Sequence, residues 1–564
     1  METKNFQNCK NDFQITEDDF GFYKKMDLDI PNLCPPCRNQ RRLIFRNERI
    51  LYKRICDLCK KETISVYSKN KNFPVYCYDC WWGDKFDGED YAMEYSPDRP
   101  FFEQWKELFD KTPKPALVSV RSVNCQYLNF SADNKNCYMI YESSNNEDCS
   151  HCYWIQKTKD CVDCSFTHMV EFLYDSKDCY NSSRLFHCLS CYDCVDSYYL
   201  YDCHNCINCI GCVSLRNKSF CIFNEQYSKE EYFKKLKEMN LDTHEGREVL
   251  RNKFEEHMSK FPRKFAQIYN SVNVTGNYIS NAKNCVSCFH TYDETENCRY
   301  CMHAFRGAKD CMDCNTVGRT AELIYNCINT GIEVSNNICT LGGWSANFVG
   351  YSFFMPNSEH CFGCVGMKKK KYAILNKVYS KDEYEKIKET IVAELKKDAI
   401  YGEFFPKEFS PFAYNESSAI QEYPVSKEEA IKAGFLWEDE QRGTYDKGTI
   451  TWDELPKSIK DISIENIIKN IYTCSDCKKN YRIIQSEAEF YKRLEIPLPH
   501  ECPDCRHTRR IEECGPNKLW PRSCMCTQNN HDHTGKCSNE FETSYAPDRK
   551  EIIYCESCYQ KEVI

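Results

Sequence analysis

Residues 122–169 read SVNCQYLNFSAD, NKNCYMIYESSN, NEDCSHCYWIQK and TKDCVDCSFTHM. Cys125, Cys137, Cys149 and Cys161 fall at every twelfth position. After the six-residue step VEFLYD (170–175), Cys179, Cys191 and Cys203 resume the same period. All fifteen cysteines from Cys125 to Cys221 share one position modulo three, an arrangement that chance produces roughly once in a few million sequences. Neither a helix, with its 3.6-residue period, nor a simple strand, with its period of two, turns every third residue inward. A narrow β-solenoid with about twelve residues per coil does.

The expected fold is therefore mainly β, with coils stacked at the strand spacing of about 4.8 Å. In geometry alone it resembles the twelve-residue coils of insect β-solenoid antifreeze proteins. A second array repeats the first. DCMDC at 310–314 matches DCVDC at 160–164, and HCFGCVGMKKKKYAILNKVYSKDEY matches NCIGCVSLRNKSFCIFNEQYSKEEY. In this copy the cysteine phase slips by one residue between Cys288 and Cys298 and between Cys301 and Cys311, which predicts one-residue bulges at corners. Each array ends in a helix-start signature, Ser228 with Glu231 and Ser380 with Glu383. Such helices are expected to cover the open solenoid end, where strand edges would otherwise stay unpaired.

The inward series of the first array also contains Ile155, Thr167, Leu173, Leu185 and Leu215, and the second array carries ten cysteines where the first has fifteen. A metal-ligand set does not tolerate exchange for leucine, whereas a space-filling residue does. Small, weakly polar packing is the expected role of these thiols; soft-metal ligation and disulfide rungs are the alternatives.

The two ends are copies of another module. FYKKMDLDIPNLCPPCRNQRR (22–42) and FYKRLEIPLPHECPDCRHTRR (490–510) share ten of 21 positions at a constant offset of 468. The C-terminal copy holds a complete set, Cys474, Cys477, Cys502 and Cys505. The N-terminal copy has Cys9, Cys34 and Cys37, with Phe6 standing where the fourth cysteine belongs. Paired C-x-x-C knuckles place four thiolates around a tetrahedral Zn²⁺. Each end has a further pair. At the N-terminus it is Cys56-x-x-Cys59 with Cys77-x-x-Cys80. At the C-terminus Cys555-x-x-Cys558 faces a stretched knuckle, CMCTQNNHDHTGKC, in which Cys537 and either Cys524 or Cys526 are ligands. Cys526 is the preferred candidate, and His531 and His533 in the insertion are alternative ligands. Three to four zinc ions are expected.

The resulting domain order is a double zinc-ribbon module (1–120), the first solenoid (121–227), a helical cap and linker (228–270), the second solenoid (271–379), a helix with an ordered linker (380–470) and a second double zinc-ribbon module (471–564). The chain resembles a family of uncharacterised cysteine-repeat proteins flanked by zinc ribbons, from uncultivated small-genome bacteria. The resemblance rests on IPNLCPPCRNQRR, FFEQWKELF, DCVDCSF, FFPKEFSPFAYNE and TSYAPDRKEIIYCESCY. It implies the architecture and no activity, and the absent ligand at Phe6 departs from it.

Arg38 to Lys61 holds nine Lys/Arg against two acidic residues, in a chain whose net charge is −9. With Trp81 and Trp82 nearby, this stripe is expected to contact RNA or single-stranded DNA through Arg38, Arg41, Arg42, Arg46 and Arg49; a protein partner for the ribbons is the other reading. No apolar run is long enough for a bilayer and no apolar leader opens the sequence, so a reducing cytoplasm is expected. The thirteen histidines are scattered and no phosphate-cradling glycine loop carries a lysine, so no catalytic constellation emerges. The expectation is a zinc-binding scaffold or interaction protein, with a thiol-rich metal store or redox protein as the alternative.

Overall fold

The structure is a computed structural model that describes residues 2–5, 12–439 and 443–563. The chain divides into two compact units, each built from two distant stretches: Met1–Leu117 with Ala266–Asp439, and Val118–Phe265 with Glu440–Ile564. Each unit thus joins one cysteine module to the solenoid that is not its sequence neighbour.

In the second unit the first array stacks in parallel at a register of twelve: Cys149 opposite Cys161, Cys179 opposite Cys191, Cys209 opposite Cys221. The three-residue period has a backbone cause. From Arg121 to Phe223 nearly every third residue, the one preceding each inward position, is left-handed: Asn124 (φ 52°), Asp133 (57°), Asn136 (53°), Asp148 (54°), Asp160 (50°). Asn and Asp tolerate that conformation best among non-glycine residues. Each coil is therefore four triplets, each bent by one left-handed residue.

The three N–H groups of a triplet have separate destinations. The left-handed residue donates to the preceding coil (Asn136 to the Val123 carbonyl, 3.0 Å) and the residue after the inward one donates to the next (Tyr138 to the Cys149 carbonyl, 3.0 Å). The inward N–H meets the inward side chain twelve residues earlier: Cys137 N–H to Cys125 Sγ (3.3 Å), Leu173 N–H to Cys161 Sγ (3.3 Å), Ile155 N–H to Ser143 Oγ (3.2 Å), Thr158 N–H to Asn146 Oδ1 (3.0 Å). The thiols in turn donate to carbonyls, Cys149 Sγ to Glu147 (3.2 Å) and Thr158 (3.5 Å). Cysteine is small enough to fill the coil and both accepts and donates. The thiols of both arrays are free, and nearly all are fully buried.

The array ends in an antiparallel hairpin, Ser219–Ile222 with Glu225–Gln226. Its turn is Phe223–Asn224, both left-handed, and the Asn224 amide replaces the missing coil by bonding both the N–H and the carbonyl of Val213 (2.9 Å each). The edge is thus closed by a hairpin, and the helix Lys229–Glu238, with the expected capping box at Ser228 and Glu231, packs Tyr232 against Phe220 (5.7 Å).

In the first unit the second array repeats this plan. Its coils lengthen to thirteen residues between Ala282 and Leu341, for example Cys311 opposite Ile324, and return to twelve at Val349 opposite Cys361. The extra residue is a second left-handed one at a single stacked corner: Asp293–Glu294, Arg306–Gly307 and Arg319–Thr320. The corner carries its own ladder, Gly307 N–H to Asp293 (2.8 Å) and Thr320 N–H to Arg306 (3.0 Å). Leu375–Asn376 makes the closing turn as Phe223–Asn224 does, and the capping box at Ser380 and Glu383 starts the helix Lys381–Lys397. Cys339 departs from the inward series. It occupies a left-handed position (φ 51°) and donates outward to the Gly402 and Glu403 carbonyls. Beside it the linker aromatics dock: Phe405 packs on Trp105 at 4.3 Å, within the helix Phe101–Lys111.

Each module is pinned to its solenoid by buried arginines. In the first unit Asp313 pairs with Arg38 (2.7 Å) and Arg42 (3.5 Å), both on the helix Pro35–Leu43, and Arg42 also reaches Asn315 (2.9 Å) and Asn326 (3.0 Å). In the second, Asp163 pairs with Arg506 (2.8 Å) and Arg510 (2.9 Å) on the helix Pro503–Cys514. These are the same residues twice, at the offset of 468 for the arginines and within DCMDC and DCVDC for the aspartates. Burial opposes charge on Arg38, and the Asp313 carboxylate outweighs it, holding the guanidinium charged.

Removing the Asp163 carboxylate would leave two buried guanidinium groups with only longer ion pairs, Arg506 to Glu487 at 3.6 Å and Arg510 to Asp175 at 3.9 Å. Asp163→Asn should therefore cost about 3–5 kcal/mol of unfolding free energy, read by urea denaturation. Asp196→Ala, which breaks the exposed pair with Arg184, should stay within about 1 kcal/mol. Equal effects would contradict the pinning role. Acid adds a second test. Burial alone would raise the Asp175 carboxyl, but Arg509 at 2.9 Å, Lys177 and His187 hold it well below the carboxylate range. Its contribution is present above the unfolded carboxylate pKa of about 4 and is lost as pH falls further, so Asp175→Asn should flatten the acid limb of the stability–pH curve.

Candidate metal centres

Among the described residues, three groups of four thiols gather with all sulfurs within 4.8 Å of one another: Cys56, Cys59, Cys77 and Cys80; Cys474, Cys477, Cys502 and Cys505; Cys524, Cys537, Cys555 and Cys558. They share one construction. A short strand, Tyr52–Ile55, Tyr472–Thr473 or Trp520–Ser523, delivers the first cysteine. That sulfur accepts the N–H of the third: Cys77 to Cys56 (3.3 Å), Cys502 to Cys474 (3.1 Å), Cys555 to Cys524 (3.3 Å). The third cysteine caps a helix start, at Tyr78–Trp82, Pro503–Cys514 and Glu556–Gln560, where helix-terminal N–H groups favour a thiolate. In the first two groups the knuckle turns on a left-handed lysine, Lys60 (61°) and Lys478 (62°).

The measured edges suit a metal. Sulfur separations are 3.8 Å for Cys59–Cys77, 3.8 Å for Cys474–Cys505, 3.6 Å for Cys477–Cys502 and 4.0 Å for Cys537–Cys555. A tetrahedron with metal–sulfur bonds of about 2.3 Å has edges of about 3.8 Å. Some of the thiols are also poised to lose protons. Burial raises Cys56, but the N–H groups of Cys77, Cys59 and Leu58 overcome it and bring the thiol to about 7. Burial likewise raises Cys555, and Asn539 and Ser557 bring it down to about 6.

The stretched knuckle uses both cysteines left open by the sequence. Cys524, rather than the preferred Cys526, completes the four-thiol group; Cys526 lies beside it with His531, His533 and Cys558. At the N-terminal incomplete set, Cys34 caps the helix Pro35–Leu43 and Cys37 lies within it, both buried. Cys9 and Phe6 lie outside the described residues.

The nucleic-acid stripe requires correction. Arg38, Arg42 and Arg46 are only 2%, 0% and 3% exposed at the side chain or residue level, and Trp81 is fully buried. The two arginines are the solenoid pins, Arg46 reaches Thr316 (3.0 Å), and Trp82 stacks on Trp344 at 5.7 Å. Arg41 and Arg49 are partly exposed. Local charge counting finds cations and cannot see a carboxylate 275 residues away. The signal available was the repetition of Arg at both helix positions in both modules, alongside an Asp duplicated in both solenoids.

No protein-family model and no curated protein matches this chain. Among solved structures, a protein assigned as an acetyltransferase from Desulfovibrio desulfuricans G20 aligns at 10% identity over 53% of this chain and 76% of its own, with a TM-score of 0.11, too low a likeness to carry any argument. Among the described residues no helix is long and apolar enough to cross a membrane.

Because bound metal contributes folding free energy directly, Cys505→Ser should remove one metal equivalent from the purified chain and lower the temperature at which the C-terminal module unfolds. Unchanged metal content with an unchanged melting profile would exclude that site.

Proposed function

We propose that this protein is a zinc-braced scaffold, in which zinc modules clamp rigid solenoids and leave the solenoid faces for a macromolecular partner. The observation that carries this reading is the continuity from metal to clamp. Cys502 is a thiol of the second group and also the cap of the helix whose Arg506 and Arg510 enter the solenoid at Asp163. An ion at this group would fix the helix start, and the helix fixes the guanidinium groups. Zinc fits donor sets of four thiols with tetrahedral edges in a chain with free solenoid thiols.

Two features favour a scaffold over a metal store. The solenoid thiols are spent on backbone hydrogen bonds, and the soft donors gather at the modules. The partner, protein or single-stranded nucleic acid, has no assigned residues once Arg38, Arg42 and Arg46 are buried; Lys53, Lys60 and Lys61 are exposed cations near the first group.

Elemental analysis with thiol titration tests the reading. Three to five zinc per chain, with solenoid thiols that react only after unfolding, is the expected result, and strong chelation should lower the melting temperature of both units. Many soft-metal equivalents per chain would instead favour storage.

A further inference from the structure

The stretched knuckle of the C-terminal module holds more donors than one tetrahedral ion can use. Around the group Cys524, Cys537, Cys555 and Cys558 lie Cys526, His531 and His533, and the second set of four shares Cys558 with the first. We infer that this module binds two metal ions bridged by the Cys558 thiolate, one held by four sulfurs and the other by Cys526, Cys558, His531 and His533. The inference rests on the zinc reading of the four-thiol groups.

The donor count closes. Seven side chains with one shared serve two four-coordinate ions with no donor left over, and a thiolate has lone pairs enough for both. The imidazoles are oriented for it. His531 directs Nδ1 at Cys526 Sγ, 3.0 Å away, while its Nε2 lies 3.2 Å from the Glu562 carboxylate. His533 directs Nε2 at Cys558 Sγ, 3.4 Å away, while its Nδ1 lies 2.9 Å from the Gly535 carbonyl. His531 Nε2 stands at ion-pair distance from Glu562 without hydrogen-bond geometry, whereas the Gly535 carbonyl accepts the outer proton of His533, which leaves that ring's inner nitrogen a lone pair aimed at the thiols. That is the tautomer a ligating histidine needs, set by the outer partner that ligating histidines keep. His531 and Cys526 are buried, at 6% and 0% exposure. The rings stand perpendicular at 5.9 Å, so they approach the shared site from two directions. The insertion that interrupts the knuckle, between Cys524 and Cys537, is thus the segment that supplies three of the donors.

The test uses the full chain loaded with Zn²⁺, with metal counted by elemental analysis and cysteines mapped by N-ethylmaleimide alkylation. In the wild type, Cys526 should be protected along with Cys524, Cys537 and Cys555. In His531→Gln/His533→Gln the count should fall by one, Cys526 should become reactive, and the other three should stay protected. An unchanged count, or a Cys526 that already reacts in the metal-loaded wild type, overturns the proposal. If the variant loosens the whole module, so that all these thiols react, a fall of two ions supports the bridged pair and a fall of one overturns it. A wild-type chain that binds no zinc anywhere would instead overturn the zinc reading itself, which separates the two failures.

Discussion

Every coil depends on what becomes of one N–H group in each triplet. Bending the backbone with a left-handed residue at every third position points one N–H inward, into a space too narrow for water or a second chain. A buried, unpaired N–H costs about 1–3 kcal/mol, and that cost would recur at every triplet. Where the inward side chain of the neighbouring coil carries a lone pair it meets that N–H, which favours small polar groups at that position. Cysteine, serine, threonine and asparagine satisfy the requirement, and the observed acceptors at Cys125, Ser143, Asn146 and Cys161 are of these kinds. Leu173 and Leu185 pack inward without offering such an acceptor, which limits how many leucines a coil can hold. Cysteine thus serves these coils both as filling and as a backbone partner.

The modules use cysteine for the opposite purpose. In the solenoids the thiols donate to backbone carbonyls; in the modules a backbone N–H from the third cysteine of each group points at the sulfur of the first. In the second unit the two kinds of cysteine meet at the arginine pin, where a helix that starts on Cys502, a thiol of a candidate metal group, ends its reach inside a coil.

How far the sequence carried differs by feature. The period of three and the capping boxes at Ser228 and Ser380 were legible because they are local. The phase slips after Cys288 and Cys301 correctly indicated longer coils, although the doubled left-handed corner at Asp293–Glu294 has no composition signature of its own. The four-thiol groups at Cys56 and Cys474 followed from spacing. Cys524 could not be told from Cys526, since both lie within reach and the insertion between Cys524 and Cys537 erases the register. The arginine stripe was misread because the partner of a charge is a property of tertiary structure.

The pairing of each module with the distant solenoid has a consequence for the order of events during synthesis. Arg38 meets Asp313 across 275 residues of chain, and Asp163 meets Arg510 across 347. At a translation rate of about 5–20 residues per second, the first module emerges from the ribosome on the order of tens of seconds before its coil exists. The first solenoid likewise waits while 347 residues are made before its arginine appears. A nascent chain must therefore carry open clamp surfaces, unpaired guanidinium groups on one side and an unpaired carboxylate on the other, through most of its elongation. Coils can stack as they emerge, since their contacts reach only to the neighbouring turn, but closure of either unit waits until its distant stretch has been made.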